Sequence, residues 1–358
     1  MAVYDLSRIR ILLVEDNRFV RNTFRDTLAH FKVGHVEVAS NGAEAVEKLK
    51  TIGGEMIPGM PTADIVISDL VMAPIDGLLL LRWIRSSKDS PNRFMPFIAL
   101  SGAADFGYVA QARDFGTNEF LAKPFAIGTI YQRILEIIDY PRPFITSREY
   151  FGPDRRRRDI GARGEEQRVM KDSEITMVYS ADRIVKPKGP SDVWKFMLPN
   201  ALKDKVGGIG SGAVGEIPSD LLEEAEASLE RAALDFTEWA GKYLAKLSGL
   251  CEQALEQEPE LRRGQFQEIN LLAHELRGQG GTFGYPLISV FGKRLYEVTG
   301  SECRIGDKSV EVVKAHVDVM RAVLREKIAG DGGQVGRELR KSLDAAIEKQ
   351  QRVGSAPS

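Results

Sequence analysis

Residues 8–17 read RIRILLVEDN, an apolar run that passes directly into two carboxylates. The run is too short for a helix of ordinary length and rich in residues that favour strands, and Glu15 and Asp16 stand at its end. Four further short apolar runs follow: HVEVA, DIVIS, FMPFIAL and NEFLA. Amphipathic stretches near 18–30, 42–51, 77–88, 106–115 and 126–139 separate them. Five strands alternating with helices predict a doubly wound α/β domain over residues 1–140, with a five-stranded parallel sheet covered on both faces. The one long connection, GGEMIPGMPT at 53–62, is marked as turn-rich by its Gly and Pro.

In such a sheet the functional crevice lies beyond the carboxyl ends of the strands. Glu15 and Asp16 end the first strand, Asp69 the third, Ser101 follows the fourth, and Lys123 the fifth. All five side chains are expected on one rim. Three carboxylates in one pocket repel one another and call for a hard cation, with Mg²⁺ the usual choice for a few carboxylates plus phosphoryl oxygens. A lysine and a small hydroxyl beside them suit a transferred phosphoryl group.

The segments LLVEDN, ISDLVMAPIDG, ALSG and FLAKPF resemble the signatures of two-component response-regulator receiver domains, which have the flavodoxin-like fold. The resemblance implies Asp69 as phosphoacceptor, Glu15 and Asp16 as its partners in holding Mg²⁺, Ser101 as a phosphoryl-binding switch residue, and Lys123 as the phosphate's counter-charge. It also implies a sensor histidine kinase as the donor. Lys123-Pro124 matches the family's Lys-Pro step, often a cis peptide. Two positions depart from the pattern: Ala73 precedes Pro74 where the family's proline usually stands one place earlier, and the aromatic switch position is Phe120 without a hydroxyl. Val71 and Ala103, two residues past Asp69 and Ser101, cannot orient a hydrolytic water through their side chains, so slow loss of phosphate is expected.

The chain of 358 residues is long enough for two domains. With 49 basic and 51 acidic side chains it has no global attraction to nucleic acid or anionic membrane. Two cysteines, no run long enough to span a bilayer and no signal-peptide layout predict a cytoplasmic protein without membrane insertion. No helix-turn-helix signature or basic recognition helix points to DNA.

From 141 to 217 the pattern breaks into a basic, Pro- and Gly-containing stretch that reads as a linker of unknown function. It holds an arginine block at Arg155–Arg158, one strand-like run EITMVYS, a lone Trp194, and the glycine-rich GGIGSGAVGEIP. Residues 218–351 carry no strand signal. Helices at 219–257, 262–284, 286–299, 308–329 and 335–351 predict a bundle of about four, followed by a disordered tail at 352–358.

Within that bundle, LLAHELRGQGGTFGYPL (271–287) reads as helix yet carries four glycines, each costing a helix interior ~1 kcal/mol relative to Ala. At 100° per residue, Ile269, Leu272, Leu276, Phe283 and Leu287 cluster opposite His274. Gly278 and Gly281 share the histidine's face, with Arg277 beside it. A bare face around an imidazole suits docking of another active-site rim, and a nearby guanidinium suits phosphoryl oxygens. The stretch AHELRGQGGTFGYPLISVFGKRLYE resembles the signature of histidine phosphotransfer (HPt) domains, with Arg277 where lysine is usual and Gly280 where a small hydroxyl residue is common. The resemblance implies His274 as a second phosphoacceptor, exchanging with Asp69 or a separate response-regulator receiver. HELR also opens the phosphorylated helix of sensor kinases, but Gln279 stands where their proline falls and the remaining residues leave no room for an ATP-binding domain. Autokinase activity is not expected. The other reading is a bundle that serves as a non-catalytic output surface controlled by Asp69.

Overall fold

The computed structural model describes residues 3–51, 63–102, 106–123, 125–155, 175–179, 192–207 and 214–352. The chain forms two compact units, Met1–Glu226 and Ala227–Ser358.

The first unit opens with the expected parallel sheet. Strands β1 (Arg10–Val14), β2 (His35–Ala39), β3 (Ile65–Asp69), β4 (Phe97–Ser101) and β5 (Glu119–Ala122) lie in the order β2-β1-β3-β4-β5. All neighbours are parallel, with Leu13 opposite Ile67 and Ser68 opposite Ala99. Every residue of β3 and β4 is buried, as a strand covered on both faces requires. The covering helices are α1 (Arg18–His30), α2 (Gly42–Thr51), α3 (Gly77–Ser86), α4 (Phe106–Asp114) and α5 (Ile127–Asp139). Asn17 starts α1 by accepting from the amides of Phe19 and Val20, and Asp76 starts α3 by accepting from Leu79. Gly77 lets α3 close on the end of β3, because a β-carbon there would lie 2.0 Å from the carbonyl oxygen of Asp69. The expected loop at 53–62 and the Pro124 end of the Lys-Pro step lie outside the described residues, as does Ala103. Among the described peptides, Ala73-Pro74 is cis.

The stretch from 141 to 217 corrects the linker reading. Its described parts build a second sheet from β6 (Phe144–Thr146), β7 (Phe151–Pro153), β8 (Ile175–Val178) and β9 (Val193–Phe196), ordered β7-β6-β9-β8, followed by the short helix α6 (Ala201–Lys205). Phe144, Val178 and Phe196 are its core, with Phe94, Phe151, Trp194 and Leu198 packed around them. Phe94 belongs to the loop before β4, so the two sheets share an aromatic cluster. Its ring lies 5.2 Å from those of both Phe144 and Phe196. Arg85 of α3 fastens the same seam. Buried, it donates to the carbonyls of Gly116, Arg93 and Met95 and to Asn118 Oδ1, and its guanidinium sits 5.1 Å from the Phe144 ring. Burial among neutral partners pushes its pKa down to about 9. The glycine-rich stretch is likewise pinned at its far end, where Gly215 donates to Asp139 at 2.9 Å. Arg155 pairs with Asp114 at 3.2 Å and stacks on Tyr150, while Arg156–Arg158 lie outside the described residues.

Helix α7 (Ser219–Leu255) carries the chain from the first unit into the second. There it meets α8 (Arg263–Gln279), α9 (Pro286–Val298), α10 (Asp307–Arg325) and α11 (Gly333–Arg352), each within a few residues of the expected bounds. The compact division falls at 226/227, inside α7, rather than at 217/218. The core of the second unit includes Phe236, Leu244, Leu247, Ile269, Leu276 and Phe291, all buried. The tail beyond Arg352 lies outside the described residues.

Candidate functional site

The five rim residues of the first unit fall where strand order predicts. Glu15 and Asp16 follow β1, Asp69 and Ser101 end β3 and β4, and Lys123 follows β5. Glu15, Asp69, Ser101 and Lys123 are buried and Asp16 half-buried. One oxygen each from Glu15, Asp16 and Asp69 lies within 4.8 Å of the others. Lys123 Nζ donates to Asp69 Oδ2 and to Glu15 Oε2, both at 2.8 Å. The backbone is drawn in as well: the Val71 amide donates to Asp69 Oδ1 at 3.3 Å and the Asn17 amide to Glu15 Oε1 at 3.3 Å. Arg21 holds the Glu15–Asp16 turn by donating to both carbonyl oxygens.

The electrostatics follow from that crowding. Burial, helped by the charges of Asp69 and Asp16, pushes the Glu15 carboxyl up to about 8 against the pull of Lys123. Burial alone would lower the Lys123 ammonium, but Asp69 and Glu15 outweigh it and hold its pKa above the ordinary lysine value. The lysine is therefore the fixed positive charge. Three hard oxygens with a deficit of positive charge match the donor chemistry of a small divalent cation. Phe120, on β5, is half-buried and packs against the sheet core. Sequence reasoning missed Arg21, the Val71 amide and the packing role of Gly77; only Gly77, directly after the Asp76 cap, carried a visible signal.

In the second unit His274 lies on α8, half-buried, with the Tyr296 ring of α9 at 5.5 Å. The Arg277 guanidinium lies 5.5 Å from the centre of the same ring. Ile269, Leu272 and Leu276 are buried on the opposite side, as the wheel predicts. The glycines are corrected in one respect: α8 ends at Gln279 rather than 284, so only Gly278 costs the helix interior. A β-carbon on Gly278 would meet nothing within 4 Å, and one on Gly281 only Ser289 Oγ at 3.5 Å. Gly280 is a packing residue, since its β-carbon would lie 2.7 Å from both Ile288 Cβ and the Tyr285 carbonyl oxygen. Gly284, at φ +83°, makes a left-handed turn. Gly292 of α9 allows the close crossing with α8, since a β-carbon there would lie 2.7 Å from the Arg277 backbone nitrogen.

Residues 11–135 match the family described as response regulator receiver domain. The relatives include the response regulator MprA of Mycobacterium leprae, 30% identical over 135 residues, which covers 38% of this chain and 53% of that protein. That of Mycolicibacterium vanbaalenii is 29% identical over 135 residues, covering 38% of this chain and 52% of its own. The chain thus spans about half the length of the curated relatives it matches. Among solved structures, a response regulator receiver protein from Pseudomonas putida is 26% identical, with a TM-score of 0.30 over 36% of this chain and 95% of that one. The receiver domain of a signal transduction histidine kinase from Syntrophus aciditrophicus is also 26% identical, with a TM-score of 0.30 over 35% of this chain and 86% of that one. The first part of this chain, residues 11–135, is a response-regulator receiver domain of the two-component type.

Proposed function

We propose that this protein is a two-component phosphorelay protein of the cytoplasm in which Asp69 and His274 are successive phosphoacceptors. The observation that carries the reading is the buried pocket in which Lys123 sits 2.8 Å from both Asp69 and Glu15 beside the Asp16 carboxylate. In the proposed first step, an Asp69 carboxylate oxygen attacks the phosphorus of a sensor kinase's phosphohistidine, and the P–N bond breaks. Glu15, Asp16 and Asp69 are the residues that would hold Mg²⁺, which would supply neutralisation of phosphoryl charge there. Lys123 pairs with the phosphoryl oxygens, the Ser101 hydroxyl donates a hydrogen bond to one of them, and the Val71 amide is already aimed at Asp69. Ser101 and Phe120 then follow the phosphorylated state.

His274 exchanges the group with Asp69 or with a separate receiver. Support comes from its half-exposed ring, the Arg277 guanidinium within reach of the same tyrosine, and the open space at Gly278 and Gly281. In this reading the protein acts without autokinase activity, nucleic acid or membrane insertion. One observation favours a second reading: the relatives are named response regulators, so the bundle can instead serve as a non-catalytic output whose partner binding follows Asp69 phosphorylation.

Incubation with a phosphorylated sensor kinase and Mg²⁺ separates the two. The relay reading expects acid-labile, base-stable phosphohistidine in wild type, none in His274→Ala, and no label on Asp69→Ala unless a second receiver supplies it. Absence of phosphohistidine with every donor and receiver leaves the output reading.

A further inference from the structure

A cavity of about 470 Å³ opens in the first unit, at the amino-terminal ends of β3, β4 and β5, the end of the sheet opposite Asp69. Its floor includes Ala63, Pro96 and Asn118, each just before a strand, and the end of α5 forms one wall through Ile137 and Tyr140. The second sheet closes the other side with Phe144, Phe196 and Leu198. The volume is that of a small-molecule site, usually ~300–1,000 Å³. Its walls are stiff: Phe94, Phe144 and Phe196 are locked ring against ring at 5.2 Å, and Pro96, Pro141, Pro143 and Pro199 fix the backbone around them. A preformed apolar wall binds without the cost of ordering it.

The polar lining narrows the chemistry. Three carboxylates, Asp64, Glu119 and Glu136, stand against two cations, Arg142 and Lys205. Lys205 is taken up by Asp64 at 2.6 Å, and Glu119 meets Arg133 at 3.5 Å. Arg142 gives its N–H groups to the carbonyls of Asn118 and Asp154. Glu136 is half-buried, and among the described residues its carboxylate takes part in no hydrogen bond or ion pair. An acid without a partner in a cavity walled by edge-packed and tilted rings complements a cation on an apolar body.

We propose that this cavity binds a small, mainly apolar molecule carrying a protonated amine. Calorimetric titration of the full chain with 2-naphthylmethylamine, and separately with the neutral 2-naphthylmethanol, tests it. The expected result is saturable one-to-one binding of the amine, at least tenfold tighter than the alcohol. Glu136→Gln should bring the amine to the level of the alcohol. Ala201→Trp, from an exposed lining position at the start of α6, should abolish both, and Met197→Trp at the half-open rim replaces it if that variant does not fold. The proposal is overturned if the amine does not saturate, if a folded cavity-filling variant binds it unchanged, or if amine and alcohol bind the wild type equally.

Discussion

Lys123 is the residue on which the acidic pocket balances. It is the ammonium that faces both Glu15 and Asp69, and removing one partner of a buried charged group typically costs about 3–5 kcal/mol. Lys123→Gln should therefore lower the stability of the receiver by roughly 3 kcal/mol at pH 7. The sign of its pH dependence is fixed. Without the ammonium the pull that opposes burial is gone and the Glu15 carboxyl rises above its value of about 8, so the folded state keeps a proton that the unfolded one has lost and stability falls as pH rises. Denaturant melts should show a clearly larger deficit at pH 9, where wild-type Glu15 has begun to ionise and the variant's has not, than at pH 7; an equal deficit at both would mean that the lysine acts through packing. His316 shows the opposite case. It is fully buried on α10, its Nδ1–H donates to the Val312 carbonyl at 2.8 Å, and Nε2 has no partner among the described residues. Burial lowers its pKa, and the nearby Arg294 adds to this. Its neutral form is thus the folded one, and the stability it contributes is present above the unfolded value of about 6.5 and lost as pH falls through the lower folded value. Melts of the wild type should weaken below about pH 6.5, and His316→Leu should flatten that slope.

The junction of α8 with α9 turns the glycine-rich stretch into two separable roles. Gly280 sits against the Tyr285 backbone, so Gly280→Ala forces a shift that overpacking places at about 1–3 kcal/mol. Gly281 has room for a β-carbon, so Gly281→Leu should leave the thermal melt within a few degrees of wild type while a bulky side chain stops transfer to His274. Radiolabel transfer assays beside melts of both variants check this, and transfer at the wild-type rate by Gly281→Leu would show that the clearing is not a docking face. The elements themselves were legible to very different degrees. β1, β3 and β4 announced themselves as apolar runs buried on both faces, β2 and β5 as partly exposed ones, and α1 and α3 as the amphipathic stretches between strands. The wheel placed His274 opposite Ile269 and Leu276 because α8 is regular up to Gln279. The second sheet stayed hidden because β6 and β7 have three residues each, too few for an alternation to register, and because β6 pairs with β9 across a long intervening stretch. Arg85 was invisible for a different reason: apart from Asn118 Oδ1 its hydrogen-bond partners are backbone carbonyls, which no side-chain pattern records.

The second sheet changes what counts as the folding unit of the receiver. An isolated 1–140 fragment would keep every strand of the parallel sheet and the whole acidic pocket. It would lose Phe144, Phe151 and Phe196, the partners of Phe94, and would open Arg85 and the end of α5 to water. It would also lose two of the three donors of the clasp at Asp139, whose carboxylate accepts from Lys203 and Gly215 as well as from Tyr4. Burying each aromatic side chain contributes ~1.5–3 kcal/mol, so the sheet and clasp together are expected to stabilise the unit by several kcal/mol. A kcal/mol in a domain of this size moves the melting temperature by ~2–4 °C. The fragment 1–140 should accordingly melt on the order of 10 °C below the fragment 1–207, and Asp139→Ala in the longer fragment should recover part of that gap. Phosphorylation of Asp69 should survive in both wherever they are folded, because no residue of the second sheet reaches the pocket formed by Glu15, Asp16 and Lys123 in the hydrogen bonds and ion pairs of the described residues. Equal melting temperatures for the two fragments would return residues 141–207 to the status of a passive linker.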